Sequence, residues 1–281
     1  MKKLLLLSGF VCLYAFLEPL GNAASSYPVA PYHPRIIINR DLNLAALKAR
    51  AFGSLNADYK NLIRYYNPAG DLCGLTENYT MSTIYGLGYL YQMSGDVAYA
   101  DKLIDGFLLT CDLGTALESD ANPAFQLESG AVAFDWVYDR IVARDKITPG
   151  LKQNIINRLK AGYTACSSIA FFRDEIREAD FHNYTTAYEA AFVMVGLALY
   201  GEDPAALEML QRGWGMISEG YAFDPTGFGE SITFRLKSSI DLTDGAMNWE
   251  GSGYWRSSAP QCLRAIEAFD SATNRQMNVW S

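Results

Sequence analysis

Two short stretches of this chain hold residue types suited to proton transfer next to an acidic ligand. The first is His182-Asn183-Tyr184, set just before a long apolar run that ends Gly196-Leu197-Ala198-Leu199-Tyr200. A polar trio at a helix start lies where free backbone N–H groups and the helix dipole favour an anion. His182 is one of two histidines in the chain. An imidazole beside an amide and a phenol, backed by a rigid helix, can exchange a proton near neutral pH. The same residues also suit plain capping of the helix. The second stretch is Asn248-Trp249-Glu250-Gly251-Ser252-Gly253-Tyr254-Trp255-Arg256. Its glycines allow close approach of backbone to a ligand, Tyr254 and Trp255 offer a phenol and a flat ring, and Arg256 can grip a carboxylate through its fork. A loop joining two helices, with Trp255 in the core, accounts for this stretch as well.

Positioning these residues falls to helices. Residues 1–23 read as a secretory signal peptide, with Lys2 and Lys3 before an apolar Leu4–Leu17 and small residues near Ala23. The mature chain is therefore expected in the periplasm or secreted. Residues 24–41 form an extended arm in which His33 to Ile38 is β-like, and Asn39-Arg40-Asp41 caps a first helix over 42–52. Helices follow at 56–66, 79–93, 97–109, 127–141, 149–168, 185–200, 204–221 and 257–270. Two hairpins resemble each other: Gly86-Leu87 leads into Ser94-Gly95-Asp96, and Gly196-Leu197 into Gly201-Glu202-Asp203, as in a helical-hairpin array. The spacing predicts an all-α class of antiparallel hairpins with little β structure. Inner helices such as 190–199 are apolar nearly all round, and outer ones such as 151–160 carry charge on one face. An inner layer wrapped by an outer one gives that contrast, and so does a solenoid.

Composition narrows the function. Half of the 281 residues are hydrophobic, so a large core is available, and the net charge of −8 argues against a nucleic-acid partner. No stretch past the leader is apolar enough to span a membrane. Four cysteines remain after cleavage, Cys73, Cys111, Cys166 and Cys262, at spacings that match no metal motif. A Cys73–Cys111 disulfide would tie adjacent hairpins, and four buried thiols are the alternative. No metal or cofactor is implied.

Taken together the motifs resemble the heparinase II/III-like polysaccharide lyases, including the alginate-lyase-like toroids. The matching features are His33-Pro34-Arg35 before an aliphatic run, His182-Asn183-Tyr184 before a long helix, and Asp244-Gly245 followed by Glu250-Gly251-Ser252-Gly253-Tyr254-Trp255. Asp135-Trp136-Val137-Tyr138-Asp139 is common in such toroids too. The resemblance implies an (α/α) toroid over 42–281, incomplete and without the β-sandwich that usually follows. It also implies β-elimination on a uronic-acid polysaccharide. The uronate carboxylate must be neutralised, the C5 proton removed and the leaving oxygen protonated. Asn183, helped by Arg256 or Arg235, would meet the carboxylate. Tyr254 would be the acid, and the base for one sugar epimer; His182 would be the base for the other. Tyr184, Glu250 and Trp255 would line the substrate. A phenol of pKa ~10 acts as a base only beside a cation, for which Arg256 is placed. The order His182-Asn183 is the reverse of that in some alginate-acting members.

Two other readings stay open. A glycoside hydrolase on the same scaffold would need facing carboxylates, drawn from Glu250 or Asp244 with Asp135 or Glu128. A non-catalytic glycan-binding protein would need none.

Overall fold

A computed structural model of the chain describes residues 27–66, 72–73, 77–115, 122–168, 183–218 and 252–277. Among these residues there are ten α-helices and no strand. They are α1 (Leu44–Phe52), α2 (Asn56–Tyr66), α3 (Glu77–Ser94), α4 (Val97–Leu103), α5 (Asn122–Trp136), α6 (Tyr138–Asp145), α7 (Leu151–Ser168), α8 (Asn183–Leu199), α9 (Ala206–Ser218) and α10 (Ser252–Ala272). The signal-peptide reading lies outside the described residues, as do Arg235 and Asp244.

Four helices, α3, α5, α8 and α10, form an inner row in that order, each packed on the next. They run parallel. Tyr85 of α3 reaches Glu128 of α5, and seven residues further along α3 the Gln92 side chain donates to the Trp136 carbonyl. Between α5 and α10, Glu128 pairs with Arg264. Seven residues on, Asp135 and Ser271 both bind the backbone of the segment around Arg35. The end of α8 joins the same segment through the Ala198 and Tyr200 carbonyls, which accept from Arg35. The C-terminal ends of α5, α8 and α10 thus meet the N-terminal arm, that of α3 meets α5 beside it, and all four N-terminal ends point the other way.

Outer helices return antiparallel. A Cβ added at Gly130 or Gly162 would meet Leu159 and Leu127 respectively, which sets α7 against α5 in opposite senses. Gly196 abuts Leu210 and Gly213 abuts Val193, which does the same for α9 against α8. The chemistry of the sequence explains the layering. Every residue of α8 from Ala187 to Leu199 is buried, so this helix needs partners on all sides, whereas α7 buries one stripe and leaves Gln153 and Asn154 outward.

Several expected boundaries shift. The run 97–109 is not one α-helix: after Leu103 the chain widens into a π turn, Ile104–Leu108. The run 127–141 starts earlier and breaks at Val137, because Trp136 is held at both ends, its ring N–H donating to Ile36 and its carbonyl accepting from Gln92. The β-like run at 33–38 is a series of bends. Ile37 takes a left-handed φ of 59°, which a β-branched residue adopts only under strain, while Arg35 and Ile36 turn their N–H groups onto Asp135. Asn39 does not cap α1. Its side chain accepts from the N–H groups of Asp41 and Leu42, and the helix begins at Leu44 without a side-chain cap. The disulfide does form between Cys73 and Cys111, while Cys166 is a buried free thiol.

Candidate functional site

The geometry of the inner row decides which sequence stretches can meet. Asn183 is the first residue of α8, and Tyr254, Trp255 and Arg256 lie in the first turns of α10. Because α8 and α10 are parallel and packed together, both of these starts lie at the same end of the row. For Asn183, Tyr184, Tyr254, Trp255 and Arg256 the structure describes the helical backbone alone; His182, Glu250 and Arg235 lie outside the described residues. One expectation is corrected here. Tyr254, Trp255 and Arg256 belong to a helix and not to a Gly-rich loop, since α10 begins at Ser252 and continues through Pro260. Serine at the first helical position and glycine next to it tolerate that start, and Pro260 leaves the carbonyl four residues earlier without its helical donor.

Below that end, side by side on three inner helices, lies a polar cluster. Glu128 is fully buried and accepts from the Tyr85 hydroxyl at 3.0 Å, from Arg264 Nε at 2.9 Å and from Arg264 Nη2 at 3.3 Å. Neither α3 nor α5 is the neighbour of α10 in the row, yet Tyr85, Glu128 and Arg264 meet. The row therefore curves, and the cluster occupies its concave side. Burial and then the Glu128 carboxylate hold the Tyr85 phenol well above its ordinary pKa, so it stays protonated. Burial works against the Arg264 charge, but Glu128 and Tyr85 outweigh it and raise the guanidinium above its ordinary value. Sequence reading missed Arg264 and Tyr85. Arg264 sits in a run that reads as an ordinary amphipathic helix; its one signal is that α3, α5 and α8 contain no Lys or Arg at all.

A second polar cluster closes the opposite end. His33 Nδ1 lies 2.5 Å from Asp135 Oδ1, and Asp135 Oδ2 accepts the backbone N–H groups of Arg35 and Ile36 at 2.9 Å. Tyr138 stacks on the His33 ring with centroids 3.9 Å apart, and its hydroxyl donates to Glu202 at 2.6 Å. Lys152 completes the set at 2.9 Å from Glu202. Contact with His33, then with Tyr138 and Lys152, holds the Glu202 carboxyl far below the usual range. Burial pulls the Arg35 guanidinium down, and Asp135 offsets part of that. His33 and Arg35 are 3% and 1% exposed. Buried groups whose bonds run to the helix ends hold structure together.

A cavity of about 310 Å³ adjoins this second cluster, lined by Tyr200, Glu202, Asp203 and Pro204 among others. Its two carboxylates are paired with Lys152 and Lys160, so an acidic ligand finds no unpaired cation there. No His/Cys/Asp/Glu group among the described residues is arranged to hold a metal ion. No helix of the described residues is long and apolar enough to cross a membrane. No family model matches the chain, and no curated protein matches it.

Proposed function

We propose that this chain is a polysaccharide lyase that cleaves a uronic-acid-containing polymer by β-elimination, on a toroid of helical hairpins. The observation that supports this reading is the parallel inner row, in which the start of α8, with Asn183-Tyr184, lies at the same end as the start of α10, with Tyr254-Trp255-Arg256. The curvature of that row fits an arc of a ring. In the proposed reaction Asn183 and a guanidinium neutralise the uronate carboxylate, which lowers the cost of removing the C5 proton. His182 or Tyr254 takes the proton, according to the epimer, and Tyr254 protonates the departing oxygen. Tyr184, Glu250, Trp255 and Arg235 would line the chain of sugars. Export to the periplasm or beyond fits the Cys73–Cys111 disulfide, because such bonds persist in oxidising compartments.

A hydrolase on this scaffold is less well served. Asp135 is fully buried against His33 and two backbone N–H groups, and Glu128 is paired with Arg264. Both carboxylates are thus already engaged by partners within the core, which does not suit a general acid or base of hydrolysis.

The test is the ultraviolet absorbance of the unsaturated uronate end that elimination alone creates, followed over a panel of alginate, pectate, glucuronan and glycosaminoglycan substrates. Wild type generates it on at least one. H182A and Y254F each lower the rate by roughly 10²–10⁴-fold with folding unchanged. Reducing ends released without unsaturation would replace the lyase reading by hydrolysis.

A further inference from the structure

The four inner helices carry two cationic side chains between them, Arg256 and Arg264, both on α10. Arg264 is the one whose surroundings are defined. Its side chain is 28% exposed while its counter-charge Glu128 is fully buried. An anion entering the concave side therefore meets the guanidinium first, with the carboxylate behind it. Two of the Arg264 nitrogens, Nε and Nη2, are held by Glu128, and the Tyr85 hydroxyl lies close to the same guanidinium. A guanidinium fixed along one edge presents its remaining N–H groups in a defined direction, the arrangement that selects a planar carboxylate over a diffuse charge. Tyr85 donates to Oε1, the same Glu128 oxygen that accepts from Arg264 Nε. Along α10, Ser257 and Gly253 lie seven and eleven residues before Arg264, the spacings that return to the same helix face. Pro260 and Gln261 lie on the same face between Ser257 and Arg264. The level of Arg264 is about 12 Å below Arg256, eight residues at the helical rise.

We propose that Arg264, braced by Glu128 and Tyr85, is a carboxylate-binding residue inside the cleft, and that it takes the carboxylate of a uronate unit next to the one being cleaved. This inference rests on the uronate reading above and extends it: the substrate presents acidic sugars in succession, and a chain with isolated uronates is disfavoured.

Calorimetric binding tests it without turnover, using tetramers of mannuronate, guluronate, galacturonate and glucuronate with their neutral hexose counterparts as controls, on full-chain H182A protein. The variants are R264K, E128Q and the double E128Q/R264Q, in which no buried carboxylate is left unpaired, and each is checked by circular dichroism and thermal melting. The parent is expected to bind one acidic tetramer and none of the neutral ones. E128Q, which loosens the brace but keeps the guanidinium, weakens that affinity less than R264K and E128Q/R264Q do, and those two weaken it roughly ten- to hundredfold. A folded E128Q/R264Q that binds the acidic tetramer as the parent does overturns the role of Arg264 and leaves the lyase reading intact. A parent that binds no acidic tetramer, or binds neutral ones equally, removes the lyase reading and this inference with it.

Discussion

Asp135 and Glu128 are both fully buried carboxylates on one helix, two turns apart, and each holds a cation in place. Their surroundings separate their roles. Asp135 also accepts two backbone N–H groups of the arm, so replacing it strands donors that have no other partner. Asp135→Ala, which removes that acceptor, is expected to cost ~3–5 kcal/mol, the range for breaking a buried ion pair, read as a lower urea midpoint with the slope unchanged. Glu202 gives a different observable. Its folded carboxyl lies below its unfolded value of ~4.3, so the stability it contributes is complete above about pH 5 and is lost as pH falls toward the folded value. Asp101, paired with Arg140, adds to the same trend. Melting temperature should therefore fall steeply below about pH 4 in wild type and more gently in E202Q. An acid limb that is identical in the two proteins would show that Glu202 is not the group responsible.

Between elements, backbone meets backbone at glycine. A Cβ on Gly196 would stand 2.4 Å from the amide nitrogen of Leu210, and one on Gly213 would stand 2.5 Å from that of Val193. The two sites lie on opposite partners of the same hairpin, so α8 and α9 touch along a glycine seam where no side chain can yield. Gly196→Ala is expected to destabilise by about 1–3 kcal/mol, despite the higher helix propensity of alanine, and chemical denaturation measures it. Gly95, with nothing within 4 Å of an added Cβ but a left-handed φ of 73°, should respond through backbone strain alone.

The whole molecule is stapled early in its sequence. Cys73 and Cys111 close a loop with a separation of 38 residues across α3 and α4. In the chain-entropy account such a crosslink contributes ~4 kcal/mol, so C73S/C111S should lose about that much, and wild type should lose it on reduction. Much of this architecture is legible from residue patterns. The helix at 56–66 and the apolar inner helices follow from periodicity, while the hairpin order only makes the Cys73–Cys111 pairing one of two open possibilities. What periodicity cannot carry is contact between distant residues. That His33 serves as a bolt for Asp135, and that Arg264 sits over Glu128, depends on residues 102 and 136 positions apart. The break after Trp136 is hidden for the same reason: its causes, Ile36 and Gln92, lie far back in the chain.

The arm also acts as a fulcrum. Polar bonds from Arg35 and its neighbours gather α5, α8 and α10 at one end, while the residues expected to react sit at the other. A helix of 17 residues such as α8 spans roughly 25 Å at the helical rise, so a tilt of about 2° at the arm moves the far tip by roughly 1 Å. Misplacements of that size are enough to lower rates a hundredfold when a proton must pass between aligned groups. Substitutions in the His33–Asp135 bolt would then change turnover from a full helix length away, acting as a lever on the jaw between Asn183 and Tyr254.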